Sequence, residues 1–180
     1  METLKEAIVT LHEEYRIPHV VVTSISLPAL GALPSLSVVG STFTSTAEPR
    51  IFEIKIPAID CFFSGTGDMF AALMLVRLRE AVHNIEGLMK TKSWVSEDEV
   101  EAIELPLAKA CEKVLASMHE VLSRTKLRRD AELEKYEGVD WAGDEKKKRL
   151  VESKAAEVSL VRNLDCLRHP DVKFKAERFA

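Results

Sequence analysis

The chain has 180 residues, of which 46% are hydrophobic and 30% are charged, and its formal net charge is -4 at pH 7. This composition suits one globular domain or part of a larger one, and the negative charge gives no electrostatic reason to expect nucleic acid or an acidic membrane as a partner. The three cysteines are too scattered for a disulfide framework or a zinc site, and the five histidines show no metal-ligand spacing. The longest apolar run, residues 69–76, is too short to cross a bilayer. We therefore expect a cytoplasmic protein with no metal site built from its own side chains.

The chain opens with a helical pattern followed by a strand pattern. Residues 2–15 place apolar side chains on one stripe and predict an amphipathic helix. Pro18 marks a turn, and residues 20–23 form a continuous apolar run. A run of this kind is typical of a buried strand in a parallel sheet.

A Ser-, Thr-, Pro- and Gly-rich segment, residues 25–50, comes next. Within it, residues 36–39 and 43–46 predict a hairpin-like pair of strands around Gly40. Residues 52–56 alternate between apolar and charged side chains, which predicts a strand with one exposed face.

The second half of the chain is mainly helical in pattern. A compact apolar run predicts a helix over residues 68–82, and a polar connector over residues 83–104 separates it from a helix over residues 106–124. Residues 126–156 mix both signs of charge and predict a solvated helix or loop insertion rather than a nucleic-acid patch. A last strand is predicted over residues 158–161. Strands that alternate with helices favour an α/β sandwich with a largely parallel sheet.

The junction between the strand at residues 52–56 and the helix that follows carries Gly65, Thr66, Gly67 and Asp68. The first turn of a helix leaves backbone N–H groups unpaired at its electropositive end, and glycines allow a phosphate to approach them. Asp68 would then act as a general base on an attacking hydroxyl. The same residues also fit an ordinary tight turn in which Asp68 caps the helix. No Gly-x-x-x-x-Gly-Lys-Ser/Thr run is present, so the phosphate site is not a P-loop.

Residues 59–72 resemble the anion-hole motif of the pyridoxal kinases, which belong to the ribokinase-like superfamily. Thr66 and Phe70 favour this branch over relatives that carry Gly-Ala-Gly-Asp or that replace the Asp with Cys. Further segments are similar to the family in the family's own order: residues 17–24, residues 108–114, residues 157–163 and residues 169–170. The neighbourhood of residues 105–124 and the charged insertion resemble fungal members.

The resemblance implies a ribokinase-like α/β/α sandwich and ATP-dependent phosphorylation of the 5′-hydroxymethyl group of pyridoxal, pyridoxine and pyridoxamine. It implies Mg²⁺ bound mainly through phosphates, with a monovalent cation as a further option, and a homodimer for the full-length enzyme. Asp68 would be the base, and the amides of Gly65, Thr66 and Gly67 would stabilise charge on the transferred phosphoryl group.

The resemblance also implies a nucleotide site around two further pairs of residues. Thr23 and Ser24 would position the phosphates of ATP, and Ile56 and Ile59 would form an apolar wall beside the adenine. For the two isoleucines, packing in the core is a nearly equal alternative. In an α/β sheet the ligand crevice lies beyond the carboxyl ends of the strands, where both Thr23-Ser24 and the Gly-Thr-Gly-Asp segment are expected.

Residues 1–180 correspond to the C-terminal, nucleotide-binding half of such a kinase, so we expect an incomplete fold that is inactive by itself. The contacts that select the substrate lie in the other half of the family pattern. A kinase for another small alcohol, such as hydroxymethylpyrimidine, is therefore an alternative. A truncated, non-catalytic fragment or an interaction domain is the alternative from a different class.

Overall fold

A computed structural model describes residues 2–25, 34–139, 141 and 143–179 as four strands and five α-helices. Part of the Ser- and Thr-rich segment, residues 26–33, lies outside the described residues, as do residues 140 and 142 of the charged stretch. The strands are β1 (His19–Ile25), β2 (Ser35–Phe43), β3 (Pro49–Pro57) and β4 (Glu177–Arg178).

The four strands form one sheet in the order β1-β2-β3-β4, and every neighbouring pair is antiparallel. The predicted parallel direction is therefore wrong for the described strands. Parallel neighbours need a crossover of a dozen or more residues, whereas β1, β2 and β3 follow one another through shorter connections. Val20 is buried as expected, but Thr23, which also lies within β1, is exposed.

The predicted hairpin around Gly40 is also wrong, because Gly40 lies in the middle of β2 and pairs with Phe52 of β3. The chain turns later, where the backbone N–H of Thr44 donates to the carbonyl of Glu48 at 2.8 Å. Gly40 is required by a close approach rather than by a turn. A Cβ atom at this position would lie 2.2 Å from Cζ of the fully buried Phe52 ring.

We expect Gly40→Ala to destabilise the fold by about 3 kcal/mol, or roughly 10 °C in Tm, because the fully buried Phe52 ring or the strand backbone would have to shift to relieve the clash. Thermal melts followed by circular dichroism measure the effect. Gly67→Ala is the matched control: its Cβ would meet nothing within 4 Å. Equal melting temperatures for the two variants would contradict the packing explanation.

The helices are α1 (Glu2–Glu13), α2 (Thr66–His83), α3 (Pro106–Glu134), α4 (Glu145–Ala155) and α5 (Leu164–Arg168). The three predicted helices are thus confirmed. No helix among the described ranges is both long and apolar enough to span a membrane. The connector between α2 and α3 contains three 3₁₀ turns, at residues 88–90, 92–94 and 102–104.

The charged stretch is largely helical, as one of its two interpretations predicted. Helix α3 continues ten residues beyond its predicted end, and the ion pair between Lys126 and Asp130 spans one of its turns at 2.5 Å. Pairs at this i,i+4 spacing stabilise a helix surface. Helix α4 begins after Asp144, whose carboxylate accepts the N–H of Lys147 at 3.2 Å.

The strand predicted over residues 158–161 is not formed. The backbone N–H of Ser159 donates to Thr125 Oγ1 at 3.2 Å, and Asn163 Nδ2 donates to the carbonyl of Ser159 at 2.7 Å. Side chains therefore occupy the backbone groups that a sheet would use. Val161, which begins a 3₁₀ turn, is 82% exposed. The fourth strand, β4, lies further along the chain.

The sheet is covered on both faces, which confirms the predicted α/β sandwich. Val38 and Phe52 pack on one face against Leu107 and its neighbours in α3. Val39, which points the opposite way, packs with Val20 against α1. Because successive strand residues face opposite sides, apolar residues in succession are buried by both layers.

Two histidines tie α1 and the connector to β2. His12 lies with Nδ1 2.6 Å from a backbone carbonyl oxygen of the turn after α1 and with Nε2 2.8 Å from Ser41 Oγ. His19 places Nε2 2.8 Å from the carbonyl oxygen of Ser93 and Nδ1 2.9 Å from Thr42 Oγ1. In each ring one nitrogen donates to a carbonyl, and the other can accept from a hydroxyl.

We expect the free energy of unfolding to fall as the pH drops below about 6.5, because burial lowers the pKa of both His12 and His19. The unfolded chain binds protons at these sites first, so stability is complete above the unfolded pKa and is lost as the pH falls below it. Each histidine contributes at most about 1.4 kcal/mol per pH unit. Urea unfolding at several values between pH 7.5 and 5.5 measures the slope. A double variant, His12→Gln with His19→Gln, should show a smaller slope, and an equal slope would contradict the assignment.

Candidate functional site

A cavity of about 390 Å³ lies between the end of β1, the segment after β3, the start of α2 and one side of α3. This volume is within the usual range for a small-molecule site. Six of the eight site residues predicted from the sequence line it: Thr23, Ser24, Ile56, Ile59, Thr66 and Gly67. The other two, Gly65 and Asp68, are their immediate chain neighbours but do not line the cavity.

Thr23 and Ser24 reach the cavity through an irregularity in β1. The pairing register with β2 shifts between Val22 and Ile25, and Ser24 has a φ of 60°. A bulge of this kind turns side chains away from the regular alternation, and positive φ in a residue other than glycine marks local strain. The sequence predicted that both residues would come directly after the strand. In the structure they lie inside it. The bulge is what directs them towards the cavity.

The start of α2 presents unpaired amides. Gly65 precedes the helix with a φ of 78°, and no side chain caps it. The first helical N–H to reach an acceptor within this turn is that of Met69, which donates to the carbonyl of Gly65 at 3.1 Å. A Cβ at Gly65 or Gly67 would meet nothing within 4 Å, so open space adjoins this end of the helix. Such a helix start is suited to an anion.

Asp68 is the third residue of α2, so its alternative interpretation as the helix cap is wrong: Gly65 occupies the capping position. Asp68 is exposed, and its carboxylate forms no hydrogen bond or ion pair with the part of the chain that the structure describes. A negative charge in the first turn is stabilised by the helix dipole. The carboxylate is therefore exposed and unpaired, among the described residues, beside the open amides.

The remaining wall of the cavity is apolar. Ile56 and Ile59 line the cavity together with Leu115, Met118 and Leu122 of α3. The sequence predicted the helix that carries these three α3 residues but did not connect them with the site. Their helical spacing carries no signal that separates a cavity wall from a core.

His119 also lines the cavity, and sequence analysis did not identify it. Its ring meets Phe174 edge-on at 5.1 Å between centroids, and burial lowers its pKa. Phe174 belongs to the C-terminal tail. The next residues of that tail are held by Glu112, a buried carboxylate in α3 that accepts the N–H of Ala176 at 3.0 Å. A single histidine in a helix gives no sequence signal for such a position.

A second cavity, of about 490 Å³, shares Pro57 and His119 with the first. Several of its charged side chains are already paired: Arg124 lies 3.0 Å from Asp165, and Lys173 lies 3.1 Å from Asp171. These groups neutralise one another, so the second cavity offers no clear charge for a ligand.

The chain matches no family model. It is 32% identical over 125 residues to a Schizosaccharomyces pombe protein whose name describes it as a pyridoxal kinase, and the match covers 69% of this chain and 35% of that protein. Pig pyridoxal kinase is 32% identical over 111 residues, which are 59% of this chain and 27% of the pig enzyme. The chain thus spans about a third of the length of the curated relatives that it matches.

The fold is similar to that of solved pyridoxal kinases. One structure from Leishmania donovani, in complex with ADP, superposes with a TM-score of 0.55 at 18% identity and covers 91% of this chain and 40% of its own. A Plasmodium falciparum PdxK with AMP-PNP and PL gives a TM-score of 0.56 at 15% identity, over 97% and 43% of the two chains. The ribokinase-like fold class predicted from the sequence is confirmed, and the fold is incomplete relative to these neighbours.

Proposed function

We propose that this chain, which is related in sequence and in fold to the pyridoxal kinases, supplies the C-terminal, nucleotide-binding half of such an enzyme. The reaction is ATP-dependent phosphorylation of the 5′-hydroxymethyl group of pyridoxal and of its relatives pyridoxine and pyridoxamine. The observation that carries the proposal is the convergence of six predicted site residues on one cavity at the uncapped start of α2. The names of the relatives favour pyridoxal over another small alcohol.

The phosphates of ATP are proposed to lie at the amides of Gly65, Thr66 and Gly67. Glycines at the first and third of these positions leave the space open. Thr23 and Ser24, directed into the cavity by the bulge in β1, add hydroxyl donors. Donors fixed before the reaction stabilise charge that develops on the transferred phosphoryl group without reorganising.

Asp68 is proposed as the general base. Its carboxylate accepts the proton of the substrate hydroxyl while the hydroxyl oxygen forms a bond to the γ-phosphorus, and the bond from that phosphorus to ADP breaks. The lack of a hydrogen-bond or ion-pair partner for Asp68 among the described residues supports this role, because the carboxylate oxygens remain available to the substrate hydroxyl. Ile56 and Ile59 line the apolar part of the cavity and are proposed to flank the adenine.

Mg²⁺ fits this site as an ion held mainly by phosphate oxygens. Over residues 2–25, 34–139, 141 and 143–179, no group of three or more His, Cys, Asp or Glu side chains is placed to hold a metal ion. Mg²⁺ commonly binds through substrate phosphates with few carboxylates, and when bound it neutralises phosphate charge. A monovalent cation and a homodimer of the whole enzyme are further parts of the proposal.

Three free thiols, Cys61, Cys111 and Cys166, support a reducing cytoplasmic location.

Nucleotide binding by the chain tests the proposal. We expect isothermal titration calorimetry to detect ADP and inorganic tripolyphosphate, and Gly67→Ala to weaken both by about tenfold, because a methyl group obstructs phosphate at the helix start. The fold tolerates this methyl group, since nothing lies within 4 Å. Failure of the unsubstituted chain to bind ADP would overturn the proposal. If Gly67→Ala binds ADP and tripolyphosphate with full affinity and its melting temperature is unchanged, the phosphates do not bind at the start of α2.

A further inference from the structure

Phe62 stands out among the residues that line the nucleotide cavity. Its side chain is 87% exposed, although it contributes to the cavity wall. The two other phenylalanines of the lining, Phe63 and Phe70, are half-buried, and Phe70 packs against the main core. Phe62 packs in none of the hydrophobic clusters of the described residues. A large apolar ring that both lines a cavity and is exposed can contact a ligand that enters that cavity.

We propose that Phe62 stacks on the heteroaromatic base of the bound nucleotide and so determines how tightly the base is held. This inference rests on the proposed function. The polar lining, from Thr23 and Ser24 and from the start of α2, accounts for the phosphates. The base is the apolar, planar part of the same ligand, and it must lie against the apolar lining.

The position of Phe62 in the chain suits this role. It lies in the segment between β3 and α2, which has no regular structure, three residues after Ile59 and three before Gly65. Met118 and Leu122 of α3 line the same cavity. A base in this cavity would contact aliphatic side chains as well as the aromatic ring of Phe62. Aromatic rings stack on every base because each base has a π-face.

Calorimetry of the 180-residue chain with ADP and with inorganic tripolyphosphate tests the inference. We expect Phe62→Ala to weaken ADP binding about 5- to 100-fold and to leave tripolyphosphate binding unchanged, because stacking acts only on the base. Phe62→Tyr keeps the aromatic ring, so its affinity for ADP should stay within about twofold of that of the unsubstituted chain. Val161→Ala is the matched control: this side chain is 82% exposed and lies outside the cavity lining.

The outcomes separate this inference from the proposed function. If the chain binds ADP and Phe62→Ala binds it equally well, Phe62 does not contact the base, and the proposed function stands. If Phe62→Ala loses affinity for ADP and for tripolyphosphate to the same extent, the inference is also overturned, because Phe62 would then affect the whole site and not the base alone. Absence of ADP binding by the unsubstituted chain would overturn both. A loss restricted to ADP, rescued by Phe62→Tyr, supports the stacking.

Discussion

Replacing Asp68 with Asn is expected to lower kcat for pyridoxal by about 10²–10⁴-fold at saturating ATP, because an amide cannot accept the proton of the substrate hydroxyl. A suitable enzyme is a chimera in which this chain replaces the matching segment of the Schizosaccharomyces pombe relative, over which the two are 32% identical. The volume of the side chain is preserved, so the amides at the start of α2 keep their places.

The structure limits what else this substitution can change. Asp68 does not cap α2, since Gly65 holds that position, so no capping hydrogen bond is lost. The loss of one negative charge in the first turn costs about 0.3–1 kcal/mol of helix stability. We therefore expect a shift in Tm of no more than about 4 °C beside the large fall in kcat.

Glu86→Gln supplies the matched control for charge. Glu86 is exposed and lies just beyond the other end of α2. Its substitution by Gln also replaces a carboxylate with an amide. Its kcat should remain near that of the parent chimera. A near-normal kcat in Asp68→Asn would reject the base role and leave the Gly-Thr-Gly segment as a phosphate cradle alone.

The start of α2 was predictable because its signals are local. Two glycines, a hydroxyl and a carboxylate before an apolar helical run specify both a helix boundary and open amides. The structure begins the helix at Thr66, two residues before the predicted start at residue 68. The sequence left open whether Asp68 caps the helix. That question was decided by the left-handed conformation of Gly65, which no composition pattern reveals.

The direction of the strands was not predictable from the same kind of signal. The continuous apolar run that begins at Val20 indicated a strand covered on both faces, and that part is correct, since α1 and α3 cover opposite faces of the sheet. An antiparallel strand between two helical layers carries the same run of apolar residues. The prediction of a hairpin around Gly40 was wrong for a related reason. The glycine is required by its close approach to Phe52, twelve residues away, and not by a turn.

Some features of the cavity were predictable from the sequence, and others depend on contacts between distant residues. Thr23 and Ser24 were identified through a family resemblance, but the bulge that turns them into the cavity depends on the pairing of β1 with β2. Phe62 and His119 were not identified, because a single aromatic residue in a loop and a single histidine in a helix have no periodicity. Their significance comes only from exposure and from neighbours that are distant in sequence.

A polypeptide limited to these 180 residues is expected to bind ADP but to turn over pyridoxal at least about a thousandfold more slowly than the Schizosaccharomyces pombe relative. Phosphoryl transfer depends on positioning both reactants, and there is little covalent chemistry for the protein to perform. The chain superposes on only 40% of the Leishmania donovani kinase and matches 35% of the Schizosaccharomyces pombe protein. The residues that would hold the second substrate are proposed to lie in the remainder.

The measurement is a coupled assay for ADP release, with and without pyridoxal, run beside the chimera at equal concentration. The chimera is the control, because it contains the same cavity and the same Asp68 together with the rest of the kinase fold. Recovery of turnover in the chimera alone would assign the missing activity to the positioning of pyridoxal. Turnover by the 180-residue polypeptide within tenfold of the chimera would contradict the prediction, since the cavity beside α2 and residues of this chain would then suffice to hold both substrates.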